Sequence, residues 1–173
     1  MKLTRPSAEY KDSYCAAAEE SGAKPVDLNT EEVGRSLMCA DFDAYVLMLN
    51  QREKGIGLPQ GYVPDTIFWL VEGHEYCGRV RIRHTLNDHL LNIGGHIGYD
   101  IRPSLRRKGY GTKILALALP EAKKIGLDRV LLTCDETNVG SRKIIEKNGG
   151  VIEDKRPNSD GGPDKLRFWI ELL

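Results

Sequence analysis

The densest chemistry in the chain lies in one run, Ile101-Arg102-Pro103-Ser104-Leu105-Arg106-Arg107-Lys108-Gly109-Tyr110-Gly111-Thr112. Arg106, Arg107 and Lys108 are consecutive cations, and Gly109 and Gly111 stand either side of Tyr110. A strand-like stretch, Gly94 to Asp100, leads in, and a helix-like stretch beginning Lys113-Ile114-Leu115-Ala116 leads out. Glycine tolerates the left-handed angles that let successive backbone N–H groups converge. The first amides of a helix have no intrahelical acceptor, and the helix dipole adds partial positive charge there. Such a turn is a seat for a phosphate or pyrophosphate. The Rossmann fingerprint fails because Ile114 occupies the third glycine position, and no P-loop Gly-Lys-Ser/Thr occurs. A surface turn with solvated charges that starts a helix is the competing reading.

The elements that must hold this turn follow from periodicity. Pro6 suits the first turn of a helix and Gly22 its end, with Tyr10, Tyr14, Ala17 and Ala18 on one face. Asp41 is a good N-cap for a second helix that points Tyr45, Val46 and Leu49 inward. Gly55 to Pro64 breaks all periodicity, and a loop of that length in a compact domain is often functional. Thr66 to Val71 and Tyr76 to Arg83 read as strands around a Glu72-Gly73-His74-Glu75 turn. In the second, Val80 and Ile82 alternate with Arg79, Arg81 and Arg83, the pattern of a half-buried strand. After the glycine turn, Ile114, Leu115, Ala118, Ala122 and Ile125 form a helical face. Pro120 should kink that helix near Ala116, at about 3 kcal/mol if unrelieved. Asp128 to Thr133 is a strand, and Asn138 to Asn148 a helix stopped by Gly149-Gly150. Val151-Ile152 begins another strand, and Leu166, Phe168 and Ile170 alternate in the last. The class expected is α/β of the mixed (α+β) kind: a single mixed, mostly antiparallel sheet flanked by helices.

Length and charge narrow the function. A chain of 173 residues suits one domain, 1–173. Lys plus Arg and Asp plus Glu both number 25, so no overall field argues for nucleic acid or membrane. No aromatic RNA-binding motif is present, and the longest apolar runs fall far short of a membrane span. Cys15, Cys39, Cys77 and Cys134 form no Cys-x-x-Cys pair, and Met1-Lys2-Leu3-Thr4 opens no targeting sequence. Reduced thiols in a cytoplasmic protein are expected, without a metal site; Cys134 reads as a small buried side chain.

The spacing Arg106-x-x-Gly109-x-Gly111 resembles the acyl-CoA pyrophosphate loop of the GNAT superfamily of N-acyltransferases: glutamine or arginine, two residues, glycine, one residue, glycine or alanine. A second resemblance follows at the family's distance. Leu131-Leu132-Thr133-Cys134 reads as its next strand, and Asn138-x-x-Ser141-x-x-Ile144-Ile145-Glu146-Lys147-Asn148-Gly149 as its next helix. The clear likeness spans Trp69 to Ile152. The wording Gly94-Gly95-His96-Ile97-Gly98-Tyr99 is most similar to a bacterial group of predicted acetyltransferases.

The resemblance implies transfer of an acyl group, usually acetyl, from acetyl-CoA to a primary amine of a small molecule or protein in a ternary complex. It implies that backbone amides of Arg107, Lys108, Gly109, Tyr110, Gly111 and Thr112 hold the pyrophosphate, flanked by Arg106 and Lys108. Main chain at Ile101 and Arg102 would pair with the pantetheine arm like an added strand. Asn138 matches a position whose side chain contacts that arm, and equally reads as a helix N-cap. Arg142 is either a contact to the nucleotide phosphate or a solvated helix-face arginine. An ammonium of pKa about 10.4 is neutral in roughly one molecule in a few thousand at pH 7, so a base should help. His96, on the strand where family bases often lie, is the first candidate, with Asp100 placed to orient it; His84 is the second. Either histidine also reads as a packed structural residue. The family's thiolate-protonating tyrosine is replaced by Ile145, and Gly150 replaces the usual aromatic. That departure motivates an alternative, a non-catalytic acyl-CoA-binding regulatory module. The implied location of acceptor contacts is the N-terminal helices and the Gly55–Pro64 loop, which is otherwise a connector. A homodimer is the default assembly for a soluble enzyme.

Overall fold

A computed structural model of the chain describes residues 1–22, 38, 40–158 and 161–173. Strands β1 (Lys2–Thr4), β2 (Asp65–Glu72), β3 (Glu75–Arg83) and β4 (Ile97–Ile101) form one sheet in the order β1-β2-β3-β4. Strands β5 (Arg129–Asp135), β6 (Val151–Arg156) and β7 (Lys165–Glu171) form a second, ordered β5-β7-β6. Every pairing is antiparallel. The helices are α1 (Lys11–Glu20), α2 (Phe42–Gln51), α3 (Tyr110–Lys124) and α4 (Val139–Lys147). The mixed class and the antiparallel pairing match the sequence reading, whereas the expected single sheet is divided in two between β4 and β5. Cys39 lies outside the described residues.

Local signals account for the helix boundaries. Asp41 Oδ1 accepts from Ala44 N at 2.9 Å, an N-cap bond that fixes the start of α2. The left-handed Gly109 (φ 88°) immediately precedes α3. That helix continues through Pro120, and both Pro120 and Ala116 are exposed. Water can therefore reach the Ala116 carbonyl that proline leaves without a donor, which relieves much of the expected penalty.

Two apolar cores sandwich the first sheet. On one side Val80, Ile82, Ile97 and Ile101 pack with Ile114, Leu115, Ala118 and Ala122 of α3, and this core continues into Leu132, Phe168 and Ile170. On the other, Tyr14 and Tyr45 of α1 and α2 meet Ile67, Trp69 and Tyr76. Tyr14 stacks on Trp69 with ring centroids 4.7 Å apart, and its hydroxyl lies 2.6 Å from that of Tyr45. Each large side chain so buried contributes roughly 1.5–3 kcal/mol.

Register decides where the arginines of β3 go. Ile67 pairs with Arg81 and Trp69 with Arg79, and directly opposed residues share a sheet face. Arg79, Arg81 and Arg83 therefore lie on the aromatic, α1/α2 side. Arg81 is only 9% exposed, so this face of β3 is not the solvated one that alternation suggested. Among the described residues no helix is long and apolar enough to cross a membrane. Nor, among them, is any group of three or more His, Cys, Asp or Glu placed to hold a metal ion.

Candidate active site

The gap between the sheets begins at a single pinned point. Gly95 has φ 65°, and a Cβ added there would sit 2.5 Å from the Leu131 carbonyl oxygen. Only glycine permits both the backbone angle and the approach. His96 N donates to Leu131 O at 2.7 Å, while Leu131 N donates to His96 Nδ1 at 2.9 Å. Arg83 Nη1 donates to the carbonyls of Gly94 (3.1 Å) and Gly95 (2.8 Å), and Thr133 Oγ1 donates to Ile93 O. Beyond this apex β4 and β5 share no ladder. Toward β3, the bonded residues of β4 and its flanks are even-numbered: Arg83 N donates to His96 O at 2.8 Å and Arg102 N to Cys77 O at 3.0 Å. Antiparallel alternation therefore turns the main-chain groups of Tyr99 and Ile101 into the gap.

At the far end of β4 stands the glycine turn. Arg107 adopts φ 64° and Gly109 φ 88°. Among the described residues the N–H groups of Arg107, Lys108 and Gly109 meet no protein acceptor. Those of Tyr110, Gly111 and Thr112 occupy the first turn of α3, where no intrahelical acceptor exists. A Cβ on Gly111 would meet Ile144 Cδ1 at 2.5 Å, so this glycine lets the start of α3 approach the latter half of α4 closely. Between them opens a cleft of about 460 Å³ lined by Arg107, Gly109, Thr112, Lys143, Ile144 and Lys147.

The structure sorts the remaining sequence candidates. Arg106 braces the turn from within, donating through Nε to Ile101 O at 2.9 Å and through Nη2 to Asp100 at 3.2 Å. Asp100 thus serves Arg106 and does not orient His96. Arg102 does not face the gap: its N–H is held by Cys77, its carbonyl accepts from Leu105 N at 2.9 Å, and its guanidinium grips Glu20 at 2.6–2.7 Å. That grip holds the Glu20 carboxyl down to about 2, tying α1 to the turn. Lys108 is exposed outside the cleft lining, and the Tyr110 hydroxyl donates to Glu72 at 2.8 Å. Asn138 caps α4, its Oδ1 accepting from Ser141 N at 2.9 Å. Arg142 pairs with Glu146 at 2.8 Å, while Lys143 and Lys147, one helical turn apart, face the cleft. The i, i+4 spacing of Val139, Lys143 and Lys147 marks the face of α4 turned to the cleft, whereas Arg142, read as either a phosphate contact or a solvated helix-face arginine, lies outside that lining.

His96 is arranged as a strut. Because Nδ1 accepts the Leu131 N–H, the neutral ring carries its proton on Nε2 and has no second lone pair to offer. Burial, then Arg83 and Arg129, lower its pKa from 6.5 to about 4. Taking up a proton would cost both the Leu131 bond and a buried charge beside two guanidiniums. His84 bonds Thr66 Oγ1 through Nε2 at 2.8 Å. Alternation along β3 places it on the α3 side, opposite Arg81 and Arg83. Ile145 is fully buried in the α3 core. From β4, the Tyr99 hydroxyl spans the gap to Ser141 Oγ at 2.9 Å, and burial pushes its pKa up to about 12.

At the other end of β4 from the turn, on the α1/α2 face, the Gly55–Pro64 loop does form a wall. A cavity of about 240 Å³ is lined by Tyr62, Asp65, Arg81, Arg83 and His89, with Gly61 and Val63 at its rim. Arg52 holds Asp65 with two bonds of 2.8 and 2.6 Å, and Arg81 Nη1 stands 3.9 Å from the same carboxylate. The sequence points to the loop but not to Arg52, Asp65, Arg81 or Arg83, whose proximity depends on long-range packing around the strands.

A sequence profile described as an acetyltransferase (GNAT) domain matches residues 26–151. Among solved structures, an acetyltransferase from Salmonella typhimurium that modifies the N-terminal serine of a 50S ribosomal subunit protein aligns with TM-score 0.63 and 15% identity, covering 99% of this chain and 94% of its own. A ribosomal-protein α-N-acetyltransferase in complex with coenzyme A aligns with TM-score 0.65 at 15% identity, covering 99% and 95%. The microcin C7 self-immunity acetyltransferase, solved with acetyl-CoA and AMP, gives TM-score 0.65 at 13% identity, covering 98% and 91%. Identities this low show a shared fold. A comparison with curated sequences returns no match.

Proposed function

Since the chain belongs to the GNAT family of acetyltransferases, we propose that it transfers an acetyl group from acetyl-CoA to a primary amine by direct attack in a ternary complex, the whole chain acting as one domain. The observation that carries this reading is the set of N–H groups at Arg107, Lys108 and Gly109, without protein acceptors, at the mouth of α3. They and the first-turn amides fit a diphosphate. Lys143 and Lys147 across the cleft fit the nucleotide phosphate, the role first considered for Arg142. The Tyr99 and Ile101 main chain, facing the gap, fits the amide-bearing pantetheine arm as an added strand. Arg106 contributes by holding the Ile101 carbonyl and so shaping the turn.

The reaction forms a C–N bond to the acyl carbon and breaks its C–S bond. The acceptor ammonium must first lose a proton. With the His96 lone pair committed to Leu131 and His84 on the opposite face, His89 is the histidine assigned to that transfer, because it lines the cavity beside Arg81 and Arg83. A thiol of pKa about 8.5 leaves tolerably as its anion, so Ile145 at the tyrosine position does not forbid turnover. Alignment of amine and thioester supplies much of the acceleration. The buried free thiols Cys77 and Cys134 suit the reducing cytoplasm.

The experiment is thiol release from acetyl-CoA across an amine panel, paired with calorimetric binding of acetyl-CoA. A side chain at Gly109 must adopt φ 88°, so Gly109→Val should weaken acetyl-CoA binding by roughly tenfold or more. Unchanged affinity would remove the phosphate seat. Binding without transfer to any amine would favour the non-catalytic module.

A further inference from the structure

Among the described residues, the cavity on the α1/α2 face of β3 carries more positive charge than its surroundings neutralise. Three guanidiniums, Arg52, Arg81 and Arg83, surround Asp65, which among the described residues is the one carboxylate within ion-pair distance of any of them. Arg52 already takes both Asp65 oxygens. Arg81, 9% exposed, keeps only the 3.9 Å approach to that spent carboxylate, and among the described residues no protein acceptor lies within hydrogen-bond distance of its guanidinium. Arg83 gives Nη1 to the Gly94 and Gly95 carbonyls and has no carboxylate partner among the described residues. Crowding of this kind shows in Arg81, whose pKa falls to about 10 through burial and then the charge of Arg79. Burying an unneutralised cation is costly, and an anionic ligand beside it would offset that cost.

The space beside Arg81 is open. Its partner on β4 is Gly98, where an added Cβ would meet no atom within 4 Å. The cavity thus adjoins β4 near its start, away from the glycine turn at the strand's other end. An acceptor approaching a thioester laid along the gap would reach it from this side.

We propose that this cavity binds a carboxylate or phosphate borne by the acceptor amine, with Arg81 and Arg83 as its ligands, so that the acceptor is a small aminocarboxylate or aminoalkyl phosphate. The proposal rests on the acetyltransferase reading and names its substrate class. At about 240 Å³ the cavity is below the usual drug-sized range of about 300–1,000 Å³ and suits an anionic head on a short chain. The same guanidiniums repel a second ammonium, which selects against polyamines.

The test measures thiol release from acetyl-CoA with 4-aminobutanoate and 3-aminopropyl phosphate against 4-aminobutanamide and spermidine. At least one anionic amine should exceed both others in kcat/KM by about tenfold or more, the worth of one charge-assisted bond. Arg81→Met should erase that preference while acetyl-CoA affinity stays within about twofold. Equal or better use of the amide or spermidine, or a preference that survives Arg81→Met, would overturn the proposal. Calorimetric titration of the CoA-saturated wild-type protein with 3-aminopropylphosphonate covers a variant that fails to fold or a panel without turnover. Saturable uptake is expected, and none would sink the proposal. Failure of CoA itself to bind would instead sink the acetyltransferase reading, so the two failures are distinguishable.

Discussion

Replacing His96 with asparagine separates a strut from a base. Asparagine Oδ1 stands where Nδ1 stood and can accept the same Leu131 N–H, but it does not titrate. In the wild-type protein the folded ring has a pKa of about 4 against 6.5 for the free side chain. Between those values the unfolded chain binds more protons than the folded one. Stability from this group is therefore complete above pH 6.5 and is lost as pH falls toward 4. For those two values the linkage relation gives a wild-type loss of about 2 kcal/mol between pH 7 and pH 5. At roughly 2–4 °C per kcal/mol for a chain of this size, that is a fall in Tm of about 4–8 °C. His96→Asn should lack this component, which urea titrations of both proteins at pH 7 and pH 5 would reveal as a shallower pH dependence. Its kcat/KM at pH 7 should stay within about threefold of wild type, against the 100-fold or greater loss expected on removing a general base. Identical pH slopes in the two proteins, or a collapse in turnover with acetyl-CoA affinity intact, would refute the strut.

The other expectations concern the gap and the cleft. Gly95→Ala must adopt φ 65° and push a methyl against the Leu131 carbonyl, whereas Gly73→Ala, at φ 57° with nothing within 4 Å, carries the angular cost alone. Chemical denaturation should show Gly73→Ala losing about 1 kcal/mol and Gly95→Ala about 2–4; equal losses would mean that the apex is not tightly joined. Lys143→Glu and Lys147→Glu should each raise the acetyl-CoA KM by roughly tenfold, while Arg142→Glu, which loses only an exposed pair, should change it by less than about twofold. Tyr99→Phe removes the bond to Ser141 that spans the gap and should cost about 1 kcal/mol of stability; no change in urea midpoint would show that contact to be slack.

What the sequence disclosed was local. The glycine spacing, the strand before it and the helix after it specify the glycine turn within a dozen residues, and the Asp41 cap likewise needs only its own helix. What it hid depends on distant partners. His96 was read from its place on a strand, yet its lone pair is taken by Leu131, 35 residues away. Arg81 alternates with Val80 and Ile82 as a solvent-facing residue would, yet it is buried beside Asp65 on the side of the sheet that carries the aromatic core. Arg142 and Lys143 differ by one position on α4, yet the first pairs with Glu146 and the second lines the cleft, a difference of helical phase that only the packed helix displays. The divided sheet turned on Gly95, whose positive φ no strand pattern announces.

Amide chemical shifts recorded while CoA is titrated into the ¹⁵N-labelled protein decide whether the glycine turn is the phosphate seat. The N–H signals of Arg107 to Thr112 should move furthest and saturate with the binding curve. Saturable binding that leaves those six amides unmoved while others shift would contradict that assignment.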